Sequence, residues 1–231
     1  MKAMILAAGK GERMLPLTRT CPKPLLQAGG KPLLEHWLQK LEAAGVRDIV
    51  INTAYLGEQI EAYIQARKSL ASITISQESE PLETGGALHL ALPMLGRAPF
   101  LLVNGDVFCD IDLSQMIARA QVATAGAYFV MVNNPEHNPE GDFVLGGEGC
   151  VYDKQMAAEQ SGALTFSGIS VVSPDMIRQY PECRRKFPLR EVFSWGLNNN
   201  TIRGEHYSGY WLDVGTPERL AELNQYLRET L

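Results

Sequence analysis

Short, fully apolar runs recur along this chain with amphipathic stripes between them, and that alternation most narrows what it can fold into. Asp48-Ile49-Val50-Ile51-Asn52, Ile73-Thr74-Ile75 and Phe100-Leu101-Leu102-Val103 have the length and β-branched content of strands. Between them, Leu33, Leu34, Trp37, Leu38 and Leu41 mark one face of a helix over Pro32 to Ala44, stopped by Gly45. Ile60, Tyr63 and Ile64 mark a second helix, and a third is expected from Thr84 to Leu95, opening on Gly85-Gly86. Strands with no polar face are buried on both sides. The pattern therefore predicts a parallel-rich sheet with helices on both faces.

The second half is less regular. Met116, Ile117 and Ala120 predict a helix, Tyr128 to Val132 a strand, and Asn133 to Gly141 a polar loop. Phe143-Val144-Leu145, Val151-Tyr152 and Leu164 to Val172 read as strands of a smaller lobe without helices between them. Pro188 to Trp195 should be helical and Tyr207 to Val214 extended, and Thr216-Pro217-Glu218 should cap and start a last helix. At 231 residues with 45% hydrophobic content the chain can bury a large core, and no repeat or linker divides it. The expectation is one domain over residues 1–231, with a mixed, mostly parallel central sheet flanked by helices and a β-richer lobe.

Charge and cysteines limit the function classes. A net charge of −5 lacks the basic footprint that nucleic acid requires. No apolar run reaches the roughly 20 residues of a membrane span, and the N-terminus lacks the apolar core of a signal peptide, so a cytoplasmic protein is expected. Cys21, Cys109, Cys150 and Cys183 are too scattered for a zinc site or a disulfide framework. His36 and His89 fall in helices and His137 in a loop, where each reads as packed or solvated. Nothing in the sequence names an oligomeric interface.

Met4 to Pro24 carries the chemistry. An apolar strand gives way to Ala7-Ala8-Gly9-Lys10-Gly11, where small residues let backbone N–H groups approach an anion closely. Arg13 adds a planar fork and Lys23 a point charge. Pro22 and Pro24 bias Cys21 and Lys23 towards extended backbone, which predicts that Lys23 sits on a stiff, extended segment. A glycine pair alone would equally fit a turn with solvated cations. Two carboxylates follow apolar strands: Asp106 in Val103-Asn104-Gly105-Asp106 and Asp213 in Trp211-Leu212-Asp213-Val214. Ligands of open α/β sheets sit beyond the carboxyl ends of strands, so the pair fits a Mg²⁺ completed by phosphates and water. Asp110 and Asp112 read as a turn and a helix cap.

The stretch L-A-A-G-x-G-x-R-M-x-P-L-T-x-x-x-P-K-P resembles the signature of the sugar-1-phosphate nucleotidyltransferases, with Glu12 where many members carry Thr. The Gly105-Asp106 and W-x-D-V-G-T segments resemble the family's two metal-binding aspartates. This resemblance implies a Rossmann-like fold and an Mg²⁺-dependent enzyme whose partners are UTP and a sugar 1-phosphate. It implies a nucleotide-binding part over roughly residues 1–110 and a sugar-binding part over roughly 111–231. Arg13 and Lys23 become the catalytic cations, and Asp106 and Asp213 the metal ligands. The nucleotide would meet Leu6, Ala7, Ala8, Gly9, Gly11 and Glu12 of the loop, together with Asn104. The Glu80-Pro81-Leu82-Glu83-Thr84-Gly85-Gly86 stretch resembles the nucleobase segment, adding Gln77, Glu80, Glu83, Thr84 and Gly85. The sugar phosphate would meet Asn104, Gly141, Asp142, Ser167 and Gly168. Taken alone, the nucleobase stretch is also a polar loop before a helix, and Phe166-Ser167-Gly168-Ile169 a core strand with a glycine bulge. The segments together resemble most the uridylyl-transferring branch that acts on a cell-wall sugar. Guanylyl- and thymidylyltransferases and a non-catalytic sensing homologue stay open.

Overall fold

A computed structural model of the chain describes residues 1–123, 126–155 and 162–230. The chain opens with β1 (Lys2–Leu6), the short pair β2 (Gln27–Ala28) and β3 (Lys31–Pro32), and α1 (Leu33–Ala43). Then come β4 (Asp48–Thr53), α2 (Gly57–Ala66), β5 (Ser72–Gln77), α3 (Glu83–Leu95), β6 (Phe100–Asn104) and β7 (Val107–Cys109). Next are α4 (Leu113–Ala123), β8 (Ala127–Val132), β9 (Phe143–Leu145), β10 (Val151–Asp153) and β11 (Thr165–Val172). The chain closes with α5 (Pro174–Arg178), α6 (Leu189–Asn198), β12 (Ile202–Tyr207), β13 (Trp211–Asp213) and α7 (Pro217–Thr230).

Seven strands form one sheet in the order β12-β8-β11-β6-β1-β4-β5. Neighbours are parallel except at β11, which runs antiparallel to β6 and β8. The alternation read from the sequence decides which face each side chain takes. Ala3 and Ile5 of β1 point to a cluster with Leu34, Trp37 and Leu38 of α1, Ile60 of α2 and Met116 of α4. Met4 points the other way, to Leu88 of α3, Met176 of α5 and Phe193 of α6. A third cluster seats Leu220, Leu223 and Leu227 of α7 on Leu212 and Met14. No helix of the described residues is long and apolar enough to cross a membrane.

The β-rich second half is distributed differently from the pattern expected of it. β8, β11 and β12 extend the central sheet, and the small antiparallel additions are the β9–β10 and β7–β13 pairs. The reason is burial: all six residues of β8 are buried, which only an interior strand allows. Tyr207 to Val214 is also not one extended run. It divides into Tyr207, the end of β12, and β13, and the rest of β12, Ile202 to His206, carries too little apolar pattern to be read as a strand. Its Gly204 lies so close to β8 that a β-carbon there would stand 2.7 Å from the Phe129 carbonyl oxygen.

This order places the site. From β1 the chain adds β4 and β5 on one side, then crosses to place β6 on the other. Leu6 and Asn104 lie in register at the carboxyl ends of β1 and β6, so the loops that follow part at a topological switch point.

Candidate active site

The loop after β1 has its main chain open to a ligand. The Ala7 amide donates to Asn52 Oδ1 at 2.8 Å, whereas the amides of Ala8, Gly9, Lys10 and Gly11 meet no partner among the described residues. Gly11 has φ +64°, and a β-carbon there would stand 2.9 Å from Thr18 Cγ2 and 3.2 Å from Lys23 Cβ, so the loop closes tightly on both cation-bearing segments. Thr18 Oγ1 donates to the Gly11 carbonyl at 2.8 Å, and Tyr55 donates to the carbonyls of Thr18 and Arg19, both at 3.1 Å. Lys23 does not lie on an extended segment. It opens a 3₁₀ turn, Lys23–Leu25, in which Leu25 N donates to the Pro22 carbonyl at 2.8 Å. Pro22 keeps the extended backbone its ring favours, and that hydrogen bond outweighs the steric bias Pro24 puts on Lys23.

Two strand pairings bring the carboxylates together. Gly105 N donates to the Leu6 carbonyl at 2.9 Å, and a β-carbon at Gly105 would stand 2.7 Å from that oxygen, so only glycine lets the turn rest on β1. Asp106 follows, and its carboxylate meets Lys23 Nζ at 2.5 Å. Asp213 pairs with Val107 in the β7–β13 ladder, and Val214 N donates to the Asp106 carbonyl at 2.8 Å. Asp213 Oδ2 accepts from Arg219 Nη1 at 3.1 Å, and His137 Nε2 stands 3.6 Å from it. Asp213 Oδ1 is buried with no hydrogen-bond partner among the described residues. Arg13 and Arg219 both reach this corner: a β-carbon on Gly215 would meet Arg13 Nη2 at 2.9 Å and Asp213 Oδ1 at 3.1 Å.

That orphaned oxygen tests the fit of a divalent cation. A buried carboxylate oxygen without a donor is costly unless something positive fills the place. No three His, Cys, Asp or Glu side chains of the described residues cluster as a metal cage. Asp106 and Asp213 thus fit a hard cation that takes its remaining ligands from phosphates and water, the habit of Mg²⁺.

Two cavities flank this point. The larger, of about 730 Å³, is lined from the first loop by Leu6, Ala7, Ala8, Gly9, Glu12 and Lys23. Glu80, Glu83 and Thr84 line its far side. The smaller, of about 340 Å³, is lined by Arg13, Ser167, Gly168 and Asp213, with His137 and Trp211. Asn104 and Asp106 line both. Gln77, Gly85, Gly11, Gly141 and Asp142 line neither.

Several of these residues act as supports. Gly85 and Gly86 turn their amides to the Phe187 carbonyl, at 2.9 and 3.1 Å, and a β-carbon on Gly86 would strike the Arg185 carbonyl. The glycines at the head of α3 thus accommodate the segment that brings Lys186 to the larger cavity. Ser167 and Gly168 form the bulge between Phe166 and Ile169. The Ser167 hydroxyl donates to the Val130 carbonyl at 2.7 Å, so it faces the sheet, whereas Gly168, at φ +77°, makes room for Asn104. Asp142 accepts from Phe166 N at 2.9 Å and from Asn138 Nδ2 at 3.2 Å and so supports the smaller cavity's wall.

Asn52, Glu78, His137, Lys186 and Arg219 were not singled out from the sequence. Asn52 had a readable signal, being a polar residue that ends an apolar run as Asn104 does. The other four gave none, since each depends on chain distant in sequence. Burial holds the His137 imidazole below its ordinary value, and Arg219 pushes it the same way.

Known proteins resemble this chain in sequence and in fold. The chain is 44% identical over 229 residues to the N-acetylmuramate alpha-1-phosphate uridylyltransferase of Neisseria meningitidis serogroup B, covering 96% of each. It is 34% identical to the mannose-1-phosphate guanyltransferase of Schizosaccharomyces pombe, of whose length it spans 62%. The fold superposes with a TM-score of 0.84 on a putative glucose-1-phosphate thymidylyltransferase from Bacillus anthracis, at 22% identity, covering 99% of this chain and 96% of that one. The model of one family, nucleotidyl transferase, matches residues 2–230, and this chain belongs to that family.

Proposed function

We propose that the chain transfers a uridylyl group from UTP to N-acetylmuramic acid α-1-phosphate, forming the UDP-sugar and pyrophosphate, a step in reuse of cell-wall sugar. The observation that carries the reading is the 44% identity to the meningococcal uridylyltransferase across nearly the whole of both chains. The two cavities joined at Asn104 and Asp106 support it, the larger for the nucleotide and the smaller for the sugar phosphate. The larger cavity is lined mostly from residues 1–110, joined by Lys186, and the smaller draws on both parts, with Arg13, Asn104, Asp106 and Val107 beside residues from His137 onward.

The attacking group is a phosphate oxygen already anionic at neutral pH, so the chain needs no general base and no nucleophile of its own. Its work is to hold two anions in line and to offset the charge that separates. Lys23 lines the larger cavity, with its ammonium on Asp106 where the two cavities meet, and holds the α-phosphate and the attacking phosphate. The open amides of Ala8 to Gly11 receive the nucleotide's phosphates. Arg13 neutralises the leaving pyrophosphate, which requires the phosphate chain to run past Asp106 towards it. Asp106 and Asp213 would hold Mg²⁺, which supplies charge stabilisation to the phosphoryl oxygens when bound.

The test is pyrophosphate release by the purified protein with Mg²⁺, UTP and N-acetylmuramic acid 1-phosphate. Mannose 1-phosphate with GTP and glucose 1-phosphate with UTP or dTTP run in parallel. Release confined to the muramate pair is expected. Release with another pair alone would overturn the substrates, and nucleotide binding without release from any pair would overturn the reaction.

A further inference from the structure

A buried polar pair, Asn52 and Glu78, forms part of the larger cavity's lining and is bonded to none of the side chains assigned above to phosphate or metal. Asn52, the penultimate residue of β4, lies in register with Leu6 of β1, and Glu78 follows directly on β5, its amide donating to the Thr53 carbonyl at 2.8 Å. Asn52 is 4% exposed and Glu78 7%. Asn52 Oδ1 accepts from the Ala7 amide at 2.8 Å, Asn52 Nδ2 donates to Glu78 Oε1 at 2.7 Å, and Glu78 Oε2 accepts from the Leu82 amide at 3.0 Å.

The direction of every bond is fixed by chemistry. Ala7 and Leu82 present N–H groups, which can only donate, so an oxygen must face each of them. The carboxamide therefore has to turn its nitrogen to Glu78, and the acceptor-only carboxylate is the side chain that satisfies both remaining donors. The chain of bonds ties the first residue of the phosphate loop to Leu82, which lies between Glu80 and Glu83 of the larger cavity's far wall.

We propose that Asn52 and Glu78 are positioning residues for the nucleotide: they lock the phosphate loop and the nucleobase segment to each other, so that the two walls keep one spacing. The pair acts through Ala7 and Leu82. This proposal rests on the reading of the larger cavity as the nucleotide site and names no particular base.

The geometry offers a reciprocal test. In Glu78→Gln, one end of the new amide must turn its nitrogen to a donor, either Asn52 Nδ2 or Leu82 N–H. In Asn52→Asp, two buried carboxylates face each other. In the double variant Asn52→Asp/Glu78→Gln, the new carboxylate at position 52 accepts from the Ala7 amide and from the new carboxamide at position 78. The oxygen of that carboxamide in turn accepts from the Leu82 amide. Every donor is met with the shape unchanged and the charge moved from one side chain of the pair to the other.

Each protein would be assayed for KM of UTP and of the sugar 1-phosphate by pyrophosphate release, for UTP binding by calorimetry without sugar phosphate, and for thermal midpoint. Each single variant is expected to weaken UTP binding and raise its KM roughly tenfold, the scale of one buried donor left unmet, with the sugar-phosphate KM unchanged. The double variant should return both nucleotide readings close to wild type. Single variants with wild-type UTP binding would overturn the proposal. So would a rise of both KM values together with a lowered midpoint, which marks general loosening, or a folded double variant no better than the worse single one. Failure of the functional reading looks different: the wild type itself releases no pyrophosphate, while calorimetry with UTP still compares the four proteins.

Discussion

Two clusters of shielded charge lie in this molecule, and they are built to opposite rules. Between α1 and α2, Arg67 donates to both oxygens of Glu35 at 2.7 and 3.0 Å and to both oxygens of Glu42 at 2.7 and 3.0 Å. Glu35 also accepts from Tyr63 and Gln39, and Glu42 from Ser69 and the Leu70 amide. All four carboxylate oxygens are met, and four of the five Arg67 N–H groups are used. At the site, Lys23 has three ammonium hydrogens and, among the described residues, one side-chain acceptor, Asp106, while Asp213 keeps a buried oxygen with no donor among them. The first cluster closes on itself and borders neither of the two cavities. The second is left incomplete where two cavities meet. Closure marks a staple between helices, and incompleteness marks a place that a ligand finishes.

The largest expected effect would sharpen that contrast on the stability side. Arg67→Met leaves two buried carboxylates without their cation and should destabilise the fold by about 3–5 kcal/mol, the usual cost of breaking a buried pair from one side. Chemical denaturation measures this, and KM values of the remaining folded enzyme should not move. A variant as stable as wild type would show that the staple reading is wrong.

Next in size comes the reverse pattern. Lys23→Ala or Asp106→Asn should lower turnover about a hundredfold or more, the range for losing one preorganised electrostatic group, with the thermal midpoint little changed. Near-normal turnover in either would remove that residue from the reaction. A collapse of the midpoint would instead place Lys23 and Asp106 with Arg67 as structural charge.

A smaller effect separates the two cavities. Gly168→Ala puts a β-carbon 2.7 Å from Asn104 Nδ2 at a backbone φ of +77°. Strain of this kind costs about 1–3 kcal/mol. The sugar-phosphate KM should rise while that of the nucleotide holds. Equal rises in both would mean that Asn104, shared by the cavities, carries the disturbance across.

How much of this was legible follows from where each signal resides. The loop after β1 and Asp106 follow apolar strands of the central sheet, where local pattern and the strand-end rule reach them without a structure, whereas Asp213 closes the short strand β13 and only its apolar flank points to it. The Arg67 staple and the Asn52–Glu78 pair were invisible because their partners lie 25 or more residues apart. Neighbouring strands or helices bring such partners together, and local pattern does not give that juxtaposition. Ser167 illustrates a third case. The family resemblance implies a small hydroxyl facing the sugar phosphate, but the bulge turns it into the sheet, and only the strand pairing reveals that. The conformation of Lys23 failed for a local reason, since the 3₁₀ hydrogen bond competes with the proline bias and wins.

The smallest expected effect is a slope with pH, and it tests the closed cluster alone. The Glu42 carboxyl is held down to about 2, chiefly by its hydrogen bonds from Arg67, with burial opposing and Ser69 and Leu70 assisting. Burial also opposes at Glu35, where the bonds from Arg67 and Tyr63 prevail and lower its value in the same direction. In the unfolded chain Glu42 returns to an ordinary value of 4.5, so between there and about 2 the unfolded state binds more protons than the folded one. Its contribution to stability is therefore complete above pH 4.5 and is lost as the pH falls through that window. Glu42→Gln removes one titrating group and should flatten the acid limb of unfolding free energy against pH, as read from urea midpoints between pH 5 and pH 3. An acid limb identical to that of the wild type would mean that Arg67 gains little from Glu42 in particular, and the two clusters would no longer differ in the way proposed.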